Sequence, residues 1–395
     1  MKKVLISLAL VLFSTAAGAQ QFYQDVTNSE MTRPADHRAG QRKEIIIPQV
    51  NGYNVYKADL HTHTVYSDGQ VLPKFRVREA WLDGLDIMAV TEHVEYRPVE
   101  AEMATYLEKY IDEDYEKEVA EYANNPKKRP AKDGKMVDLN TSVVKSQAAA
   151  KGYGITIIPG VEISRDAVKE GHFNALFTTD NNLVYDKDAY QSILNAKAQG
   201  ALIQHNHPGW RRTEIGYNDF QKKIYGEGLV DGVEVVNTGE IYPGITDRCN
   251  NDGLYITANS DIHAATSSTY GVQSENRPMT LVFAKDKSLG SVREALEARR
   301  TLAYAYENVW GAEQLLKDMF LASMKIEHVS GSKYLFTNMS SVPYVVAVPG
   351  KNPTHIDPFT SVFFSVEKGC KAITLEVRNM WSGAETHPTV EISVK

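Results

Sequence analysis

Every histidine between Lys57 and His263 lies in a short segment at the end or the start of an apolar, β-prone run. The segments are DLHTHTVYSDG (Asp59 to Gly69), TEH (Thr91 to His93), His172, QHNHPG (Gln204 to Gly209) and NSDIH (Asn259 to His263), joined by PGVE (Pro159 to Glu162), which brings a carboxylate. If these groups act together, the fold must carry the ends of many separate strands to one place. A repeated strand-then-helix order does this. It implies a parallel sheet, and closing that sheet into a barrel gathers the strand ends on one face. An open sheet would leave its outer strands too far apart to share ligands.

The rest of the chain follows that rhythm. Asn54 to Leu60 is strand-like and ends at His61 and His63. Pro73 opens a helix in which Val77, Ala80 and Trp81 share a face. Leu85 to Thr91, Ile155 to Ile158, Phe173 to Phe177, Ala201 to Gln204, Gly232 to Val236 and Leu254 to Ala258 read as further strands, with a helix at Asp188 to Ala198. Ser291 and Glu294 have capping-box spacing at a helix from Val292 to Arg300. Residues 99–138 interrupt the pattern with helical spacing of Met103, Tyr106, Tyr110 and Ile111, followed by a basic loop. The segment reads as a helical insertion on the barrel rim or a lid over the pocket. Beyond Leu321 only short β-type runs remain, punctuated by Asn, Gly and Pro, as in a small antiparallel β-sandwich of immunoglobulin-like type. His328, His355 and His387 are isolated there and carry no assigned chemistry. The expected divisions are residues 1–19, 20–52 (an irregular lead-in), 53–320 (the barrel, with the insertion) and 321–395.

Lys2 and Lys3, the apolar stretch Val4 to Phe13 and the small residues Ala17-Gly18-Ala19 have the order of a secretory signal peptide. An exported, periplasmic or secreted protein with no membrane anchor is expected. Net charge is −7, which disfavours long nucleic acid held by its phosphates. Cys249 and Cys370 are too few for a zinc-thiolate site, and export permits a disulfide between them without requiring one.

Imidazole and carboxylate are the ligands of zinc, manganese and iron. His61 and His63, alternate residues at a strand end, can reach the same ion. Two histidines alone are as often hydrogen-bonded loop residues. Adding Glu162, Asp261 and His263 points instead to a metal site, and there are too many candidates for one closed structural zinc. The excess implies two or three ions.

Together these residues resemble the PHP (polymerase and histidinol phosphatase) superfamily, over roughly Tyr53 to Tyr306 and with its signature segments in order. The resemblance implies an α/β fold, a distorted seven-stranded (β/α) PHP barrel holding three divalent metal ions (Mn, Fe or Zn). Position by position, it implies a first ion on His61, His63, Glu162 and Asp261. The second would share Glu162 and add His172 and His207, and the third would take Asp68, His93 and His263. Glu92 stands where the family usually has aspartate and is expected to orient a ligand. Asp68, where some relatives have histidine, favours manganese or iron. His205 is a reserve ligand. The signal peptide, NHPGW (Asn206 to Trp210) and β-rich tail also resemble an exported subgroup, the Sb-PDE-type phosphodiesterases.

What the resemblance implies is hydrolysis of small organic phosphodiesters by a metal-bridged hydroxide, with Glu162, Asp261 and His207 as the catalytic set. Arg165, Trp210 and Arg211 are candidate substrate contacts. The alternatives are a phosphomonoesterase of histidinol-phosphatase or nucleotide-phosphatase type, an amidohydrolase, and a non-catalytic metal-dependent binding protein. An amidohydrolase would typically carry a metal-bridging lysine at a strand end, and no cluster contains one.

Overall fold

The computed structural model describes residues 22–24, 29–34, 41–100, 129–130, 136–270, 276–366 and 370–393. The expected signal peptide and most of the 99–138 insertion lie outside the described residues. Met1–Arg42 and Lys43–Lys395 are separate compact units. In the first, Phe22–Gln24 pairs antiparallel with Thr32–Pro34.

The second unit is built on one curled sheet. Its strands are β1 (Asn54–Asp59), β2 (Ile87–Val90), β3 (Thr156–Ser164), β4 (His172–Leu176), β5 (Leu202–Asn206), β6 (Gly232–Asn237), β7 (Glu240–Ile241), β8 (Tyr255–Asn259), β9 (Met279–Ala284), β10 (Thr301–Ala305) and β11 (Asn308–Trp310). The order is β7-β6-β5-β4-β3-β2-β1-β9-β10-β11, and β8 pairs with β6. Beyond the strand ends, the bridge between Thr62 and Ile262 joins the segment after β1 to the segment after β8. Thr280 and Thr301 link β8 to β9 and β10 through their hydroxyls. The fold is therefore mixed α/β with a barrel-like curl.

The sheet is not parallel throughout. β1, β2 and β3 are parallel, as are β5, β6 and β8, but β4 runs antiparallel to both β3 and β5. The link from Ser164 to His172 is too short for a helical crossover and folds back as a hairpin. Hence His172, at the start of β4, lies at the same end as groups that follow the other strands. β9 is likewise antiparallel to β1.

Helices cover the outer surface. α1 (Pro73–Leu82) starts on a proline and buries Arg76, Val77 and Ala80. α2 (Thr141–Ala150) packs against it. α3 (Ala189–Ala198) is capped by the Asp188 carboxylate, and α4 (Asp219–Gly226) by an Asn218–Gln221 capping box. α5 (Pro243–Asp252) lies against β6. α6 (Leu289–Glu297) begins earlier than its sequence suggests, because Ser288 rather than Ser291 accepts the capping hydrogen bond.

After α7 (Glu313–Ser323) come two small antiparallel sheets. One holds Met324–Ser330, Lys333–Asn338 and Ser361–Ser365, the other Thr354–Ile356, Tyr344–Ala347, Ala372–Val377 and Thr389–Ser393. Met380–Trp381 leaves both and pairs with β11, so the tail adds a strand to the large sheet. The apolar core is continuous across the two: Leu281, Leu302, Phe320, Phe336, Tyr344 and Leu375 belong to one buried cluster. Among the described residues no helix is long and apolar enough to cross a membrane. Cys249 is buried, Cys370 is exposed, and both are free thiols.

Candidate metal centre

β3 and the segments after β1, β2 and β8 are stitched together by backbone bonds. Asp261 N–H donates to the His61 carbonyl (2.9 Å), His63 N–H to Ile262 (3.1 Å) and Val94 N–H to Glu162 (2.8 Å). Their side chains converge in overlapping groups: His61, His63 and Glu162; His61, His207 and Asp261; Glu162, His172 and His207; His63, Asp68, His93 and His263. Within each group the ligand atoms lie within 4.8 Å of one another.

Glu162 belongs to two of these groups and lies against histidines of all four. Its Oε1 lies 3.5 Å from His61 Nε2, 3.2 Å from His172 Nδ1 and 3.5 Å from His207 Nε2. Its Oε2 is 3.6 Å from His63 Nε2 and 2.6 Å from His93 Nδ1. Asp261 Oδ1 sits 3.2 Å from His61 Nε2 and 3.1 Å from His63 Nε2. Asp68 reaches His263 Nε2 at 3.1 Å and His93 Nε2 at 3.4 Å.

These contacts do not satisfy the groups that make them. His61 Nε2, His63 Nε2, Glu162 Oε2 and His172 Nδ1 are buried and have no hydrogen-bond partner. An unpaired buried polar atom costs about 1–3 kcal/mol. Several of them facing one another across a common carboxylate make sense as a donor set for divalent cations, and imidazole with carboxylate fits that role chemically.

The protonation equilibria show the same demand for positive charge. Burial, then the charges of His263 and His93, push His63 down to about 3. Burial would also depress His93, but the Glu162 and Asp68 carboxylates hold it at about 10. The two rings stand only 4.5 Å apart. Burial would raise Asp68, Glu162 and Asp261, but the surrounding imidazoles hold all three well below the usual carboxylate range.

Two of the groups depend on unusual backbone. His207 and Asp261 have φ of 27° and 48°. Strict alternation along β5 turns Gln204 and Asn206 toward the cluster, where Asn206 donates to Glu162 (3.0 Å), and turns His205 away. His205, the reserve ligand, instead stacks on Phe173 and bonds Tyr225 Oη at 2.8 Å. The left-handed step at His207 then brings the next imidazole back to the cluster. Such conformations cost about 1–3 kcal/mol and persist where surrounding structure over-determines them.

The Glu92 carbonyl accepts from Glu162 N–H (3.0 Å), but its carboxylate forms no described hydrogen bond with a metal-type side chain. It accepts from Thr64 Oγ1, from Thr64 N–H (3.1 Å) and from Ser67 Oγ (2.5 Å), and Ser67 Oγ in turn lies 3.3 Å from His63 Nδ1. Several supporting residues were not singled out from the sequence. Arg76 donates to the carbonyls of His63 and His263, each at 3.0 Å. Arg277 pairs with Asp59, which accepts from Ser260 N–H at 3.2 Å. Glu234, Asn174, Gln204 and Asn259 form a buried polar layer beneath the cluster. The available signal was polarity inside otherwise apolar strands, most plainly the glutamate of GVEVVN.

A cavity of about 770 Å³ opens over the cluster, with Tyr96, Val168, Trp210 and Arg211 among its walls. Trp210 packs on His172 and His207, both at 5.3 Å between centroids. Arg211 is exposed and lies 4.3 Å over the Trp210 ring. Arg165 also lines the cavity, but its guanidinium is engaged by Glu95 (2.7 Å), the Asp186 carbonyl and Ser192 Oγ (3.1 Å).

The PHP domain family model matches residues 59–240. A solved two-domain protein from Bacteroides vulgatus, described as containing a predicted PHP-like metal-dependent phosphoesterase, is 32% identical. It covers 90% of this chain and 99% of its own, with a TM-score of 0.77. The chain belongs to the PHP family. Other solved structures are more distant. An amidohydrolase from Chromobacterium violaceum is 14% identical over 55% of this chain and 91% of its own (TM-score 0.35). The lesion-specific endonuclease Q from Pyrococcus furiosus is 17% identical over 62% and 56% (TM-score 0.36). Neither bears on the activity of this PHP protein. No curated protein matches the chain.

Proposed function

We propose that this protein is a metal-dependent phosphoester hydrolase that acts on small organic phosphodiesters. The carrying observation is the convergence of four overlapping His/Asp/Glu groups around Glu162 at the floor of one cavity. Divalent ions bound there would lower the pKa of a water molecule and offset charge on the phosphoryl oxygens. Glu162, His61, His63, His172, His207 and Asp261 would hold two of the ions, and Asp68, His93 and His263 the third. Asp261, ionised at neutral pH and facing the cavity, is placed to orient the attacking water.

Preference for diesters rests on the cavity wall. A monoester dianion brings one more negative charge to offset than a diester does. Beyond the cluster, Arg165 is occupied by Glu95, which leaves Arg211 as the exposed guanidinium among the lining residues. Tyr96, Val168 and Trp210 offer apolar surface to a second organic arm. The acidic chain and the leader-like residues 1–19 support an exported enzyme with a small-molecule substrate.

The test is elemental analysis of purified protein, followed by hydrolysis of bis(p-nitrophenyl) phosphate and p-nitrophenyl phosphate after loading with manganese, iron or zinc. Bound ions and a higher kcat/KM on the diester are expected. Faster monoester hydrolysis would replace the diester reading, and protein with no affinity for any of the three metals would remove the metal-dependent one.

A further inference from the structure

We infer that Glu234 is a positioning residue of the metal centre: it selects the nitrogen of His61 that faces the ions and secures the turn that delivers His207. This inference rests on the metal-centre reading above.

β6 is buried along its whole length, and Glu234 is its only charged residue. Both carboxylate oxygens are fully engaged. Oε1 lies 2.9 Å from His61 Nδ1 and accepts from Asn259 Nδ2 (2.9 Å) and, more weakly, Gln204 Nε2 (3.4 Å). Oε2 accepts from the His207 backbone N–H (2.7 Å) and Asn237 Nδ2 (2.8 Å). In the neutral ring that ion binding requires, an acceptor at His61 Nδ1 keeps the proton on that nitrogen and leaves the lone pair on Nε2. Nε2 is the buried atom that has no hydrogen-bond partner and lies 3.2 Å from Asp261. The second effect is on the backbone. The N–H seated on Oε2 belongs to the residue whose φ is 27°, so the carboxylate anchors the strained step that turns His207 inward. Both effects fall on the group His61, His207 and Asp261. Glu234 forms no described hydrogen bond with His63, Asp68, His93 or His263.

The experiment uses the full-length protein with zinc(II) alone as the probe. Bound zinc is counted across a graded chelator series for wild type, Glu234→Gln and, for comparison, Asp68→Asn. For Glu234→Gln the expected result is a 10–100-fold loss of affinity for part of the bound zinc, with the remainder released at the wild-type chelator concentration. Asp68→Asn should weaken a different part. Unchanged release in Glu234→Gln, or equal weakening of all the zinc, overturns the role of Glu234. Wild-type protein that binds no zinc overturns the metal-centre reading itself. Should Glu234→Gln not fold, long-range 1H–15N spectra of zinc-loaded wild type decide the matter: His61 protonated on Nδ1 supports the assignment, and protonated on Nε2 ends it.

Discussion

One carboxylate joins the separate ligand groups. Because Glu162 lies within 3.6 Å of nitrogens on five histidines, Glu162→Gln should lower zinc or manganese content and reduce phosphoester turnover by more than the 10–100-fold typical of an outer residue. Metal analysis alongside kcat/KM checks this, and full turnover in the variant would contradict it. The imidazoles also set a pH dependence. His93, held at about 10 against its usual 6.5, carries a proton at pH 7, while His63, at about 3, does not. Ion uptake at pH 7 should therefore release protons, detectable by calorimetry in buffers of different ionisation enthalpy, and apparent affinity should weaken as pH falls. For the ion-free protein, the raised His93 contributes stability that is fully present below 6.5 and lost as pH rises toward 10. The depressed Asp68, Asp261 and Glu162 contribute stability that is present above their ordinary range and lost in acid. The depressed His63 loses its contribution as pH falls from 6.5 toward 3, so denaturation midpoints of chelated protein should peak near pH 6.5 and fall by pH 9.5. Saturating metal should remove the alkaline decline.

The elements position the site through backbone contacts as much as through side chains. α1 is tied to the centre by Arg76, which is fully buried, caps the carbonyls of His63 and His263, and pairs with Glu79 (2.9 Å). Arg76→Met takes the described donor from the His63 carbonyl, leaves the His263 carbonyl with Gln70 N–H alone, and removes the cation paired with Glu79. A loss of about 3–5 kcal/mol is expected from urea unfolding of metal-free protein. Gly69 closes the loop after β1. A Cβ there would stand 2.7 Å from Thr64 N and 2.8 Å from the His63 carbonyl carbon, both backbone atoms that cannot swing aside. Gly69→Ala should cost about 1–3 kcal/mol and shift Asp68, weakening metal binding on that side. Chelator titration of the variant measures the second effect. Much of this scale was legible in advance. The apolar runs before His61, His93 and Glu162 are strands, and Pro73 and Asp188 do mark helix starts. The direction of β4 was not read, because strand propensity is indifferent to direction and only the short Ser164–His172 link carried the information.

Across Lys43–Lys395, barrel and tail behave as one body. Tyr344 Oη donates to Ser323 Oγ (2.9 Å), Asn379 donates to the Glu307 and Pro343 carbonyls, and Met380–Trp381 completes the edge beside β11. Removing residues 324–395 would strip Phe336, Tyr344 and Leu375 from the core they share with Leu281, Leu302 and Phe320. The truncated chain should be insoluble or lack a cooperative melting transition, as judged by soluble yield and thermal scanning. A soluble, metal-binding barrel would show that the tail is dispensable. From sequence alone came the residue types that could serve a metal centre and the strand ends that carry them, because both are local chemistry: imidazole and carboxylate at set distances from apolar runs. Only the tertiary structure decided which of them meet. Alternation aimed His205 outward, positive φ at His207 and Asp261 aimed those side chains inward, and Glu234 came beneath His61 from a distant strand. Such directions depend on sheet curl and buried hydrogen bonds between residues far apart in sequence, and no local pattern encodes them.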